Sequence, residues 1–345
     1  MAGSMLQICF FLIANALAVF HFAQTGNRSL LAFFVIAIAI LVFFSALIAR
    51  LEKKGHLNAH ELMARTMTFW WMLSLFALAL ISHPMVICLL LYLGSFLSLA
   101  EYHSLIFPEE KSLKKIMMDP SFCLISFACL VNYALLYFVG DGVVLYFGFS
   151  LIFMGIGLPI FYVIKNRGDE SARSLLPLIS GFLFFAVLLT LAYPLYAMNV
   201  NAFLVVIFLT EIRDLISYWL GKGLAKTTWQ SSKRQQWVHQ KIAPAISPNK
   251  TWSVGILSTV IIYAIGLWFS LSIFDLGYFG LLKLSLVLFS IGIFGLFGDL
   301  AFSLVKRIYG QKDSGSWLPG GSGMIDRIDA LVFTIPVAYF ILQFL

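Results

Sequence analysis

Four acidic residues of this chain fall inside long apolar runs: Glu101, Glu211, Asp214 and Asp299. A carboxylate at membrane depth is costly, so each is a functional candidate by default. Glu211 and Asp214 stand three residues apart, which puts them on one helix face that Ser217 and Tyr218 continue. An internal helix–helix salt bridge is the competing use of that pair, and Arg213 points about 100° away around the helix. Glu101 lies near the loop at Pro108 and reads as interfacial. Asp299 carries the stronger signal. Ser303 follows it at i+4 and Lys306 and Arg307 at i+7 and i+8, so a carboxylate, a hydroxyl and two cations form one stripe.

That stripe runs into the most polar passage of the chain, KRIYGQKDSGSWLPGGSGMIDRID, residues 306–329. Its five glycines allow close backbone approach, and N–H groups with Lys306, Arg307, Lys312 and Arg327 supply positive potential, the makings of a phosphate site. Asp313, Asp326 and Asp329 are oxygen donors of the kind magnesium shares with phosphate. A solvated basic loop would explain the cations but not the interleaved aspartates. A second polar stretch, KIAPAISPNKTW at 241–252, has two prolines and Asn249 to impose extended or turn backbone. It leaves Lys250 and Thr251 at a helix start, where phosphate oxygens are well received.

These groups must be positioned by membrane helices. Of 345 residues, 61% are apolar and only 11% charged, with 34 Phe and 8 Trp; mean hydropathy is +0.94. A soluble domain would carry about 25% charge, so water-soluble and disordered chains are both excluded. The fold class is all-α, a polytopic integral membrane protein. Apolar runs predict helices near 5–23, 30–49, 67–82, 84–106, 121–139, 143–164, 174–193, 201–220, 254–273, 279–305 and 328–345, about eleven spans with a range of 9–11. The division of 67–106 is the least defined. Residues 5–22 lack a basic leader and read as an uncleaved first helix.

Twenty of the 23 Lys and Arg fall in every second gap between these runs; Arg28 lies in an opposite gap, and Arg213 and Lys283 lie within spans. The net charge of +7 therefore describes topology rather than affinity for nucleic acid, and it sets the N-terminus and the basic loops on the cytoplasmic side. Cys9, Cys88, Cys123 and Cys129 all sit in apolar runs as small hydrophobes. Residues 1–200 read as a helical scaffold giving lipid access. Residues 201–345 read as the catalytic region, with cytoplasmic loops at 221–252 and 306–327.

In this C-terminal region the sequence resembles the phosphatidate cytidylyltransferases, membrane enzymes that make CDP-diacylglycerol from CTP and phosphatidic acid. The terminal signature of that family is S-x-x-K-R-x4-K-D-x-G-x-x-x-P-G-H-G-G-x-x-D-R-x-D. Ser303, Lys306, Arg307, Lys312, Asp313, Gly315, Pro319, Gly320, Gly323, Asp326, Arg327 and Asp329 fall in its register. Gly298-Asp299-Leu300 matches its G-D-L, and Ser247-Pro248-Asn249-Lys250-Thr251-Trp252 its S-P-[KN]-K-T-W; Asp214, with Tyr218 and Gly221 following, looks like its helical aspartate. Some positions depart. Gly321 replaces the family histidine, Phe302 stands where an acid is usual, Arg213 where an asparagine is usual, and Ser253-Val254 replaces Glu-Gly. About ten extra residues, with Trp229 and Trp237, enlarge the loop before Lys241.

The resemblance implies a magnesium-dependent CTP:phosphatidate cytidylyltransferase of phospholipid biosynthesis in the bacterial cytoplasmic membrane. Asp299, Asp326 and Asp329 would be metal ligands, with a second, monovalent cation as a further expectation. Lys306, Arg307, Lys312 and Arg327 would act on the phosphates. Asp214, Ser247, Asn249, Lys250, Thr251, Ser303, Gly320 and Gly323 would bind substrate. The partners implied are CTP, phosphatidic acid or a related lipid phosphate, and membrane lipids, with no nucleic acid; a homodimer is left open. The alternatives are a cytidylyltransferase for a different lipid phosphate, a non-catalytic lipid- or nucleotide-binding member, and a transporter suggested only by the buried acids.

Overall fold

Every predicted apolar run is a helix in the computed structural model, which describes residues 2–53, 59–108, 112–139, 142–165, 168–225, 238–273, 276–311, 314–315 and 323–345. The first four helices are α1 (Ala2–Gln24), α2 (Arg28–Lys53), α3 (Ala59–Ile81) and α4 (Pro84–Ile106). The division between α3 and α4 is made by Pro84. It stands at the first helical position, where a missing N–H costs nothing, and the His83 side chain caps Met85 N–H at 3.3 Å. A short helix that the apolar pattern does not announce, α5 (Leu113–Met118), leads into α6 (Pro120–Phe138). Asp119 caps α6 by accepting from the N–H groups of Ser121 and Phe122, and it also meets His103 and Lys165, joining three helix ends. Burial opposes its charge, but His103 and these donors hold the carboxyl well below the usual aspartate range.

The next two helices are irregular. We denote as α7 the helix Val143–Ile152, its π-helical turn Phe153–Gly157 and its continuation Leu158–Lys165, and as α8 the run from Gly168–Gly181 through Phe182–Leu188 and Leu189–Leu191 to Ala192–Met198. Where α8 leaves regular geometry, two carbonyls find side-chain donors. Asn132 of α6 donates to Ala186 O at 2.6 Å, and the Tyr146 hydroxyl of α7 donates to Val187 O. In lipid such backbone groups need a protein partner, which is how the irregular turn is tolerated.

The C-terminal part contains α9 (Val200–Ala225), a two-stranded antiparallel ribbon of β1 (Lys241–Ala243) and β2 (Ser247–Thr251), α10 (Trp252–Ser272), α11 (Leu281–Ile308), the short α12 (Ile325–Ile328) and α13 (Leu331–Phe344). Among the described residues, eight helices are long and apolar enough to cross a membrane by length and composition. Three predicted spans fall outside that set. In α3 the apolar part is the shorter Thr66–Ile81, α9 carries Glu211, Arg213 and Asp214, and α13 has 14 residues. Helix α9 packs against α10, α11 and α13, and α11 against α10 and α13. One buried apolar cluster runs from Ala18 to Leu342, continuous across residue 200.

Helix α11 touches the turn before α13 at Gly298. A Cβ there would lie 2.6 Å from the carbonyl oxygen of Asp329 and 3.1 Å from the Cα of Ala330. Only glycine lets Asp299 and Asp329 approach so closely on neighbouring elements. Gly298→Ala is expected to cost about 1–3 kcal/mol through overpacking. Gly148→Ala, at a position with open space around it, should be near neutral by thermal unfolding in detergent.

Candidate active site

The stripe on α11, the β-ribbon and the α12 turn converge on one cavity of about 880 Å³. The ribbon is what the proline-rich stretch builds. Ala243 pairs with Ser247 and Lys241 with Thr251, and Trp252 N–H donates to Gln240 O at 3.0 Å. This places Lys250 and Thr251 at the start of α10, with both lining the cavity beside Asn249. Lys250 forms an ion pair with Asp299, reaching from the ribbon to α11. On the next two turns of α11, Lys306 meets Asp326 at 2.5 Å.

Asp326 is held from two further directions. Its Oδ2 accepts from Ser314 N–H at 3.2 Å and from Gly323 N–H at 3.3 Å. Burial opposes its charge, but the Lys306 ammonium and these two N–H groups outweigh it and hold the carboxyl below the ordinary aspartate value. Asp329 lines the same cavity, almost fully buried, and accepts from Ala330 N–H at 2.7 Å. Asp214, Asp299 and Asp329 are within electrostatic reach of one another, and Lys250 acts on both Asp214 and Asp329.

Beneath this loop lies Glu101 of α4, with no exposed surface. It accepts from Met324 N–H at 2.7 Å, Ile325 N–H at 2.9 Å and the Ser314 hydroxyl at 3.3 Å. Gly323 fits because it lacks a side chain: a Cβ there would lie 2.0 Å from Ser314 Oγ and 2.6 Å from Glu101 Oε2. Glu101 is therefore not an interfacial residue. It is the buried anchor of the segment that carries Asp326. The expectation erred by weighing only the distance to Pro108; an acid inside an apolar run was itself the usable signal.

Of the expected site residues, Asp214, Asn249, Lys250, Thr251, Asp299, Lys306, Asp326, Arg327 and Asp329 line the cavity. Others stand elsewhere. Arg307 is exposed and turns to the ribbon, donating to Ile246 O at 3.5 Å and to Gln311 O at 3.3 Å. Ser247 sits in the ribbon pairing, Ser303 is not among the lining residues, and Gly323 acts through its N–H on Asp326. Lys312, Asp313, Gly320 and Gly321 lie outside the described residues. So do Trp229 and Trp237. Phe302, standing where the resemblance expects an acid, is buried among Phe184, Phe185 and Phe333 and belongs to the core.

Arg213 departs from its expected direction. Its long side chain folds back to pair with Asp214, and the guanidinium lies against Gly295 of α11. It is 2% exposed, and its Nε and Nη1 have no hydrogen-bond partner among the described residues. Below it the cavity wall turns apolar, with Phe33, Ala37 and Ile40 of α2 facing Phe208 and Ile212 of α9. One space thus joins a cluster of paired charges to a greasy wall. Among the described residues, no group of three His, Cys, Asp or Glu stands close enough to hold a metal by itself.

Replacing Glu101 by glutamine keeps its shape but turns one acceptor into a donor facing N–H groups. Each hydrogen bond to a charged group contributes about 1.5–3 kcal/mol. Amide exchange at Met324 and Ile325 should therefore quicken by about tenfold or more in Glu101→Gln, while the long helices stay protected. Unchanged exchange at both amides would contradict the anchoring role.

The chain matches the model of the cytidylyltransferase family over residues 63–345. It is 29% identical over 334 residues to the uncharacterized protein YnbB of Escherichia coli, covering 92% of this chain and 98% of that one. It is 34% identical over 183 residues to the phosphatidate cytidylyltransferase of Bacillus subtilis, covering 46% of this chain and 66% of that one. To the phosphatidate cytidylyltransferase of Brucella abortus it is 43% identical over 99 residues, covering 29% of this chain and 36% of that one. The similarity thus spans less than two thirds of the length of these two enzymes, whereas it spans nearly all of YnbB. With its bilayer-length helices and a family match that runs from α3 to the C-terminus, this chain belongs to the cytidylyltransferase family as an integral membrane member.

Proposed function

We propose that this chain transfers CMP from CTP to phosphatidic acid, forming CDP-diacylglycerol and pyrophosphate for phospholipid synthesis. The observation that carries the reading is the union, in one cavity, of Lys250, Lys306 and Arg327 with a long apolar wall. A polyanionic nucleotide suits the first and a lipid tail the second. The named relatives in Bacillus subtilis and Brucella abortus support the same reaction. With the N-terminus and basic loops inside, the charged end of the cavity faces the cytoplasm, where CTP is found.

A phosphate oxygen of the lipid attacks the α-phosphorus of CTP. The new P–O bond forms as the bond from that phosphorus to the bridging oxygen of the β-phosphate breaks, and pyrophosphate leaves with the electron pair. The nucleophile is already an anion, so no general base is required; the work is positioning and charge stabilisation. Lys250, Lys306 and Arg327 take the phosphate charge, and Asn249 and Thr251 border the place where it would sit. The oxygen donors of Asp299, Asp326 and Asp329 fit magnesium, which binds through one or two carboxylates plus substrate phosphates and waters rather than in an all-protein cage. Bound there, the metal would reduce repulsion between the two substrates and stabilise the departing pyrophosphate.

A second reading, transfer to a different lipid phosphate, is favoured by Arg213. Its buried guanidinium, with two donors that have no hydrogen-bond partner among the described residues, lines the cavity next to the apolar wall, where it adds a cation that the resemblance does not expect. A panel of lipid phosphates offered in competition separates the two readings.

The test is pyrophosphate release by detergent-purified protein given CTP, magnesium and phosphatidic acid. Release should need all three, and Asp299→Asn and Asp326→Asn should each lower it by about 100-fold or more in folded protein. Lys306→Ala should do the same, whereas Arg307→Ala, facing the ribbon, should stay within about threefold, the scale of a lost exposed contact. Full activity in both aspartate variants would contradict the assignment.

A further inference from the structure

The placement of Arg213 depends on two helices. On its own helix, Nη2 of the guanidinium pairs with Asp214. Across from it, α11 makes room with Gly295, where a Cβ would lie 3.1 Å from Nε, 3.2 Å from Cζ and 3.3 Å from Nη1 of Arg213. Near-equal distances to three atoms of one plane set Gly295 over the face of the guanidinium. The N–H groups at its edges therefore do not point at α11. Asp214 occupies Nη2, whereas Nε and Nη1 have no hydrogen-bond partner among the described residues. Unmet donors on a buried charged group are costly, so their persistence calls for an acceptor that the bound state supplies.

The neighbours of Arg213 select the chemistry of that acceptor. Along α9 the cavity lining changes from Leu204, Ile207 and Phe208 to Glu211, Asp214 and Ser217. Arg213 stands at this boundary, and Lys250 acts on its partner Asp214 from the charged side. Asp214 already balances the guanidinium charge, and Glu211 lies within electrostatic reach of both. A further anion placed here would face two carboxylates. A neutral oxygen would not, and an ester carbonyl is such an oxygen. We propose that Arg213 determines specificity by donating from Nε and Nη1 to ester carbonyl oxygens of the lipid acceptor. The acceptor class is then an acyl-ester lipid phosphate, not an ether-linked or isoprenoid one. This rests on the lipid-phosphate reading above and narrows the panel offered there. The asparagine that the resemblance expects at this position is shorter and has a single amide nitrogen, so the device belongs to this chain's own departure from the pattern.

The experiment compares phosphatidates that differ only in chain linkage, diacyl and dialkyl, bound to detergent-purified full-length protein and measured by native mass spectrometry. The diacyl lipid should bind about tenfold or more tighter, the scale of hydrogen bonds to a charged donor. Arg213→Lys keeps a cation for Asp214 but ends in one ammonium that Asp214 occupies. Gly295→Ala keeps Arg213 and presses a methyl group onto its face. Both variants should lose most of the preference. Because the preference is a ratio taken within each variant, partial misfolding cancels, and a merely structural Arg213 would weaken both lipids alike. With isotope label at the ester carbonyls, the infrared carbonyl band of bound diacyl lipid should move to lower frequency, and less so in Arg213→Lys. Equal binding of the two lipids by the unaltered protein, or a preference that both variants leave intact, would overturn the proposal. Pyrophosphate release at equal rates from the two lipids would overturn it too, while leaving the transfer reaction standing. Ester preference in a protein that releases no pyrophosphate supports Arg213 and overturns the transfer reaction instead.

Discussion

The carboxylate of Glu101 is the point on which the site depends. A buried charge without partners would cost several kcal/mol, and here two backbone N–H groups and a hydroxyl supply them. All three donors come from the segment carrying Asp326, more than 200 residues away in sequence. The same segment then supplies the Ser314 and Gly323 N–H groups to Asp326, which in turn fixes Lys306. A chain of polar contacts thus runs from a membrane helix of the N-terminal half to the cations of the cavity. Because α4 holds the loop, residues 1–200 are part of the site's construction and not only its surround.

The cavity is charged but locally balanced. Asp299 has Lys250, Asp326 has Lys306, and Asp214 has Arg213. Such pairs keep facing carboxylates compatible within one cavity. In the proposed reaction these pairs would be exchangeable: Asp299 and Asp326 would be available to hold a divalent cation, and Lys250 and Lys306 would then face phosphate. Asp299 and Lys250 are partly exposed, so separating them is inexpensive compared with breaking a fully buried pair. Site residues contributed by the ribbon, α11 and the α12 turn can then be brought to bear on two polyanions without rebuilding the helical frame.

Much of this was legible in the residues, for identifiable reasons. Apolar runs of bilayer length give helices because lipid leaves the backbone no other partner. Asp299 and Lys306, seven residues apart, reach the cavity together because α11 continues as a regular helix to Ile308, although Ser303 between them does not line it. The stripe's last member did not follow: one helical step takes Arg307 out of the cavity and onto the ribbon. Arg213 escaped sequence reasoning for a different reason, since a side chain of that length can return to its neighbour whatever direction its Cβ takes. The irregular turns in α7 and α8 were hidden because they depend on donors from other helices, Asn132 and Tyr146 among them. Glu101 was discounted because its partners are far along the chain, and only the fold brings them together.

In the proposed reaction a nucleotidyl group passes from CTP to a lipid phosphate within this cavity. The most direct measurement follows the phosphorus itself, using CTP labelled at either its α- or its γ-phosphate, with phosphatidate and magnesium, and then partitioning the mixture between water and organic solvent. The α-label is expected to enter the lipid phase only when phosphatidate is present, and the γ-label to leave as aqueous pyrophosphate. Transfer of γ-label to lipid, or retention of both labels in water with every lipid phosphate offered, would contradict it.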